Sequence, residues 1–289
     1  MSFTSRYIRR SFSKGDKKRD EGLSIPEDVC YIRDIPYGAD PVWNTLDIAY
    51  PEGRSVKLPV IVSVHGGAYV YGSTKEYQFY SASLAQRGFS VINFNYRLAP
   101  ETRYPGQLHD LNEVIRWMIA HAPEYPFDLN NIFLVGDSAG AQMLSQYMVL
   151  CTNEEYRKTL DIVPPEFTVR AIGLNCGMYD IERMISDKGN RGIVNDYLGK
   201  DHLKWADSFK VLEYIDDRFP PAYLFSAGGD FLLKECRPMY ELLKEKGIEC
   251  QMKIYGDKDT GHVFHLDMRS NIGKQANDDE TGFFRKFIV

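Results

Sequence analysis

Apolar runs and amphipathic stretches alternate along most of this chain. Runs rich in Val, Ile, Leu and Phe are typical of strands buried on both faces of a sheet, and they occur at 58–64, 89–94, 132–135, 169–175, 222–230 and 250–255. Helical spacing of hydrophobic positions follows three of them, at about 75–87, 107–121 and 139–151. Because strands that alternate with helices build a parallel sheet, the pattern predicts an α/β fold with helices on both faces of a mostly parallel central sheet.

Three other regions complete the predicted organisation. Segments 29–37 and 43–50 indicate two leading antiparallel strands, so we expect one large domain over 29–289. Residues 178–219 combine mixed helical patterning with several aromatic side chains within that domain. Residues 1–28 form an N-terminal arm.

The arm is strongly basic, whereas the whole chain has a net charge of -5. Its cations are Arg6, Arg9, Arg10, Lys14, Lys17, Lys18 and Arg19. Such a cluster could suggest an anionic partner. Since the rest of the chain is acidic and carries no nucleic-acid motif, we interpret the segment as an amphipathic arm or a frayed terminus and predict no nucleic-acid partner.

Composition limits the cellular context. No apolar run approaches the ~20 residues of a membrane helix, and the first 24 residues lack the apolar middle of a signal peptide. The five cysteines are odd in number and form no CxxC pair. We therefore expect reduced thiols in a cytoplasmic protein with no membrane partner.

The most informative motif is Gly-Asp-Ser-Ala-Gly at 136–140, directly after a predicted strand and before a predicted helix. A serine on such a sharp turn is the arrangement of a nucleophile elbow, which needs small neighbours two positions away. Ser138 is therefore the candidate nucleophile. Asp137 could be read as a second catalytic carboxylate, but we interpret it as a hydrogen-bonding residue that tunes the turn.

A candidate oxyanion hole lies upstream, where the strand at 58–64 runs into His-Gly-Gly-Ala at 65–68. Fixed peptide N–H groups aimed at one point stabilise the negative oxygen of a tetrahedral intermediate. We assign this role to the amides of Gly66, Gly67 and Ala139. The alternative is a plain glycine turn that ends a strand.

The remaining catalytic candidates follow two later strands. Asp230 comes at the carboxyl end of one, and His262 follows the other after a Gly- and Asp-rich loop. His265 is a rival base, and Asp257 and Asp259 are rival acids, but the acids lie in the same loop as the histidine. His109, His121 and His202 carry no companion signal.

The order Ser138, Asp230, His262 is that of α/β-hydrolases. Together with Asn-Tyr-Arg-Leu-Ala-Pro-Glu at 95–101 and the motifs at 65–68 and 136–140, it makes the chain resemble the hormone-sensitive-lipase-like branch, bacterial esterase/lipase family IV. Two positions depart from the family pattern, since glycine usually stands where Ala68 and Val263 are. Behind the 95–101 motif we expect Arg97, Glu101 and Asp110 to pair and hold the loops beneath the site.

The resemblance implies a serine carboxylic-ester hydrolase that acts on short-chain acyl esters through an acyl-enzyme. It leaves open a deacetylase, a feruloyl esterase, an aryl formamidase, an acyltransferase or a non-catalytic, receptor-like homologue. Tyr69 and Tyr71 either bind substrate or pack in the core. No zinc-ligand spacing or phosphate loop occurs, so we predict no metal and no cofactor. The resemblance further implies a small helical cap, with 178–219 as a candidate lid and residues 1–28 as a candidate part of the cap; the alternative for 178–219 is a pair of ordinary surface helices. It leaves open a homodimer through the sheet edge.

Overall fold

The computed structural model describes residues 1–53 and 56–289. Within this part of the chain, eight strands form one sheet in the order β1-β2-β4-β3-β5-β6-β7-β8. The strands are β1 Val29–Pro36, β2 Thr45–Pro51, β3 Leu58–Val64, β4 Ser90–Phe94, β5 Phe127–Asp137, β6 Val169–Asn175, β7 Ala222–Ala227 and β8 Cys250–Tyr255. β2 is antiparallel to both of its neighbours, and all other neighbours are parallel.

Helices cover both faces of this sheet. They are α1 Phe3–Asp20, α2 Thr74–Gln86, α3 Gly106–His121, α4 Ala139–Thr152, α5 Glu154–Arg157, α6 Ile181–Ser186, α7 Arg191–Tyr197, α8 Ala206–Phe209, α9 Leu233–Glu245 and α10 Asn271–Arg285. One core packs against α3, α4 and α9, and the other packs against α2 and α10. Neighbouring strand residues such as Ile61 and Val62 belong to opposite cores, because successive side chains of a strand point to opposite faces.

The predicted fold class is confirmed. The strands expected at 58–64, 169–175 and 250–255 have those bounds, and the two leading strands pair antiparallel. β5 is longer than its apolar run at 132–135 because Phe127 already pairs with Leu58 at the start of β3. Asp128, Asn130 and Asn131 interrupt the apolar residues at the start of β5, so its continuous apolar run begins only at Ile132.

The N-terminal arm is an 18-residue helix, not a frayed terminus. The Ser2 side chain caps it by accepting a hydrogen bond from the Ser5 amide, and Ile8 is buried. Arg9 fastens the helix to the domain by donating to the Val70 and Ala99 carbonyl oxygens, at 2.7 and 2.9 Å.

The predicted cluster of Arg97, Glu101 and Asp110 is only partly formed. Arg97 and Asp110 do pair, with 2.7 Å between Nη2 and Oδ1. Glu101, however, pairs with Arg9 at 2.7 Å, so its partner comes from α1. A sequence pattern confined to 95–110 could not contain this distant cation.

Residues 178–219 form α6, α7, α8 and short 3-10 turns. α1 packs against α7, and the Ser2 amide donates to Asp196 Oδ2 at 2.6 Å. The N-terminal arm and the candidate lid at 178–219 therefore contact each other. Among the helices of the described ranges, none has the length and apolarity that crossing a membrane requires.

Candidate active site

Ser138 lies between β5 and α4 with φ 52° and ψ −115°, a conformation that non-glycine residues rarely adopt. The flanking glycines are required by close approach. A Cβ atom on Gly140 would lie 2.0 Å from the Val64 carbonyl oxygen, and one on Gly136 would lie 2.7 Å from the Gly140 carbonyl carbon. The local geometry is therefore that of a nucleophile elbow.

Asp230 and His262 meet beside this turn. His262 Nδ1 lies 2.8 Å from Asp230 Oδ1. The carboxylate also accepts from the Ser226 hydroxyl and the Leu232 amide, each at 2.8 Å. Burial favours the neutral acid, but these hydrogen bonds and the His262 ring together hold the pKa of Asp230 below its ordinary value. Asp230 is therefore a carboxylate that can orient the imidazole.

Ser138 and His262 line the same two cavities. Within the described residues, no hydrogen bond joins the Ser138 hydroxyl to the ring. Such bonds are often long or poorly aligned without substrate and tighten in the reacting complex.

The rival groups lie in other surroundings. His265 is fully buried with its ring edge-on to Tyr80 and Phe225, and burial lowers its pKa to about 3. It is a neutral core histidine. Asp257 and Asp259 are exposed in the preceding loop, and Asp257 Oδ1 accepts the Asp259 amide.

The structure changes the predicted set of oxyanion donors. The Gly66 amide donates to Tyr77 Oη at 2.8 Å, so it is not available to a substrate oxygen. The amides of Gly67, Ala68 and Ala139 donate to no acceptor among the described residues. Ala68, the fourth residue of the His-Gly-Gly-Ala motif, thus replaces Gly66, the second residue, among the free candidate donors.

The two departures from the family's glycines share one backbone feature. Ala68 has φ 53° and Val263 has φ 50°, both in the left-handed region that glycine occupies without strain. For a β-branched residue such as Val263 this conformation is an outlier. One strained residue therefore lies in the predicted oxyanion loop, and the other directly follows the candidate base His262.

Tyr69 and Tyr71 differ in their surroundings. Tyr69 is only 2% exposed, donates to Gln142 Oε1 at 3.0 Å and stacks on Tyr197 with 3.7 Å between ring centroids. Tyr71 donates to Asp16 Oδ2 of α1 at 2.8 Å. Each borders one of the cavities that reach Ser138, so neither is a core residue alone.

Two cavities meet at Ser138. The first, of about 290 Å³, has a partly polar wall that includes Asp16, Arg19 and Tyr71. The second, of about 240 Å³, is lined by apolar side chains such as Met178 and Met184 together with charged ones such as Arg183. Phe12 of α1 and Phe231 border both. Sequence reasoning missed these two residues because no motif marks them, although Phe231 directly follows Asp230.

One group of metal-ligand types occurs in the described ranges, and its members are Cys176, Asp230 and His262, with their ligand atoms within 4.8 Å. Asp230 and His262 are already hydrogen-bonded to each other. Burial, then the Asp230 charge, raises the pKa of the Cys176 thiol well above its ordinary value, which disfavours the thiolate that binds metal. A metal-free site remains our prediction.

Comparisons with known proteins show which family and which solved structures this chain is similar to. The model of the BD-FAE family matches residues 46–240. Tuliposide A-converting enzyme 1 of Tulipa gesneriana is 28% identical over 239 residues, which make up 73% of this chain and 58% of that enzyme. An acetyl esterase of Salmonella schwarzengrund is 26% identical over 242 residues, or 78% of this chain and 71% of that esterase.

The fold has a solved counterpart in inhibited esterase B of Lactobacillus rhamnosis, with a TM-score of 0.88 at 22% identity over 98% of this chain and 96% of that one. The similarity shows that the fold is that of the α/β-hydrolases. The chain belongs to the BD-FAE family, whose model covers well over half of it. The chain spans only 58% of the length of its tuliposide-converting relative.

Proposed function

We propose that this chain is a serine carboxylic-ester hydrolase that acts on short-chain acyl esters. The observation that carries the proposal is the 2.8 Å contact of His262 Nδ1 with Asp230 Oδ1 beside the strained Ser138 turn. The acetyl esterase and esterase B among its relatives support the same activity.

In the proposed reaction, Ser138 Oγ attacks the ester carbonyl carbon while His262 Nε2 takes the hydroxyl proton. The tetrahedral oxygen accepts hydrogen bonds from the amides of Gly67, Ala68 and Ala139. Collapse breaks the bond to the alcohol oxygen, which receives the proton from His262 and leaves an acyl-Ser138. Water then attacks this acyl group by the same proton transfers. Asp230 remains ionised and holds the imidazole in the required tautomer.

The two cavities suggest how an ester is held across Ser138. The second cavity, with Ile8, Met178, Met184 and Ile193 in its wall, is suited to a short apolar acyl chain. The first, bordered by Tyr71, would take the alcohol side. Tyr69 and Tyr71 then contact the two sides of the ester.

A receptor-like role is less well supported, because such a homologue needs no base, and here His262 is paired with a buried carboxylate. Deacetylation, feruloyl-ester cleavage and formamide cleavage use the same three groups. We also propose a cytoplasmic location, since the five cysteines are free thiols in the structure. A homodimer rests on the family resemblance alone.

A p-nitrophenyl ester series from acetate to decanoate tests the proposal. We expect the highest kcat/KM between acetate and hexanoate, and a loss of about 10⁴-fold or more in kcat for Ser138→Ala and for His262→Ala. The matched controls are Ser145→Ala, in the helix α4 that follows Ser138, and His202→Ala. Both residues lie outside the two cavities. Wild-type rates in Ser138→Ala, or no hydrolysis of any ester by the wild type, would contradict the proposal.

A further inference from the structure

A buried phenol links the two loops that would carry out the chemistry. The Gly66 amide donates to Tyr77 Oη at 2.8 Å, and that hydroxyl donates to Asp137 Oδ2 at 2.8 Å. Gly66 begins the oxyanion loop, residues 66–72, which holds the free amides of Gly67 and Ala68. Asp137 directly precedes Ser138 in the nucleophile turn, residues 136–140. All three residues are buried. One side chain from α2 thus joins the oxyanion loop to the nucleophile turn.

The oxyanion loop needs such a fixed point because its backbone is strained. Ala68 and Tyr69 have φ values of 53° and 64°, in the left-handed region that residues other than glycine rarely adopt. Residues in such conformations keep them only when their surroundings impose them. The Asp137 carboxylate packs directly against this loop, since a Cβ atom on Gly66 would lie 2.5 Å from Asp137 Oδ2.

The protonation states of Asp137 and Tyr77 determine which atom donates in the hydrogen bond between them. Burial raises the pKa of Asp137 to about 6, opposed by the Tyr77 hydrogen bond and by the His262 and Arg19 charges, so the group is mainly a carboxylate above that pH. Burial, then the Asp137 charge, raises the pKa of Tyr77 well above its ordinary value, so the phenol keeps its proton. A neutral phenol that donates to a carboxylate makes a strong, charge-assisted hydrogen bond.

We propose that Tyr77 is a positioning residue that holds the oxyanion amides at a fixed place relative to Ser138, through its bonds to Gly66 and Asp137. The inference rests on the proposed hydrolase function. Tyr77 touches no reacting atom in this account. Its effect is on the placement of the Gly67 and Ala68 amides, which act on the transition state and therefore on kcat more than on KM.

The same helix supplies a matched control. Tyr80 is also buried in α2, and it donates to Glu280 Oε2 at 2.9 Å. This second phenol–carboxylate pair contacts the core histidine His265 and makes no hydrogen bond to the oxyanion loop. Loss of either hydroxyl removes one buried hydrogen bond to an acidic side chain, but only loss of the Tyr77 hydroxyl also leaves the Gly66 amide without its acceptor. The link to the oxyanion loop is therefore what separates the two variants.

The experiment measures kcat and KM of the full chain with p-nitrophenyl acetate. We expect Tyr77→Phe to lower kcat by about 10- to 100-fold, the scale for a misplaced or lost oxyanion donor, with KM changed by less than about threefold. Tyr80→Phe should keep kcat within about threefold of the wild type. Thermal unfolding of both variants checks that their losses of stability are comparable.

Substitutions at Asp137 extend the test. Asp137→Asn keeps an acceptor for the phenol and should retain more kcat than Asp137→Ala, which should match Tyr77→Phe. The Tyr77→Phe/Asp137→Ala double variant should lose little more than either single variant, since the two side chains act as one unit. If Tyr77→Phe does not fold, the Asn-to-Ala difference at position 137 decides the matter.

The outcomes separate the two proposals. A wild type without esterase activity overturns both. An active wild type in which Tyr77→Phe behaves like Tyr80→Phe, changes KM alone, or adds fully to Asp137→Ala overturns the positioning role and leaves the hydrolase function standing.

Discussion

The parallel sheet differs in construction from the cover, by which we mean α1 together with residues 178–219. Central strand residues such as Val60 and Val62 are fully buried between two layers of helices. Helix α1 instead exposes 78% of Phe3 and 39% of Phe12, and Arg9 holds it to the domain through two carbonyl oxygens and one ion pair. The sheet places the groups that would react, whereas the cover supplies walls to the cavities.

This contrast implies that substitutions at strand ends abolish the reaction, while substitutions in the cover change selectivity or local opening. Asp230→Asn should lower kcat by about 10³- to 10⁴-fold, less than Ser138→Ala but more than any substitution in the cover, because the amide favours the wrong imidazole tautomer. Steady-state kinetics with p-nitrophenyl acetate measure it. The control is Asp257→Asn, in the exposed loop, which should keep the wild-type rate. The opposite ranking would assign the acid to Asp257.

The scaffold also contains a buried glutamic acid, Glu280, whose ionisation lowers the stability of the fold. Burial raises the pKa of Glu280 to about 7, above its ordinary value, so ionisation of this group costs stability as the pH rises. Relative to the wild type, Glu280→Gln should gain free energy of unfolding between pH 4.5 and 7, by at most about 3 kcal/mol. Urea unfolding across this range measures the gain.

Glu245→Gln, at an exposed position, is the control and should show no such trend. A stability difference for Glu280→Gln that is independent of pH would show that Glu280 ionises as readily in the folded chain as in the unfolded one.

In the cover, Phe12→Ala should act on selectivity. Phe12 borders both cavities at Ser138, so its loss joins them and admits bulkier esters. We expect the ratio of kcat/KM for p-nitrophenyl decanoate to that for the acetate to rise roughly tenfold. Phe3→Ala, in the same helix but outside both cavities, should leave the ratio unchanged. Equal ratios in the two variants would remove Phe12 from the substrate cavity.

The smallest expected effect concerns the attachment of α1. Arg9→Gln removes the ion pair with Glu101 and weakens the hydrogen bonds to the Val70 and Ala99 carbonyls, which should cost about 1 kcal/mol of local stability. Trypsin cleavage at Lys14, measured by mass spectrometry, should then be roughly fivefold faster. Arg10→Gln, at an exposed neighbouring position, is the control. Unchanged cleavage would mean that other contacts hold the helix.

The sequence predicted the scaffold well because strands buried on both faces are rich in apolar residues, as 58–64 and 169–175 are. It also predicted Ser138, Asp230 and His262 as the reacting groups, because the carboxyl ends of parallel strands lie at one edge of a sheet. It could not show that the Gly66 amide is taken by Tyr77, or that Glu101 pairs with Arg9. Both contacts join segments that no local pattern connects.

The cover was the least predictable region. Helix α1 is highly charged, and Ile8 is the one large apolar side chain it buries within the described ranges. A helix held mainly by polar contacts lacks the regular apolar stripe that periodicity detects.

The proposed hydrolysis requires that Ser138 is an activated nucleophile. Labelling with a p-nitrophenyl phosphonate, followed by peptide mass spectrometry, is the sharpest test of this requirement. We predict one adduct per chain, on Ser138, that is absent in Ser138→Ala and forms much more slowly in His262→Ala. An unlabelled wild type, or an adduct on a different residue, would contradict the claim.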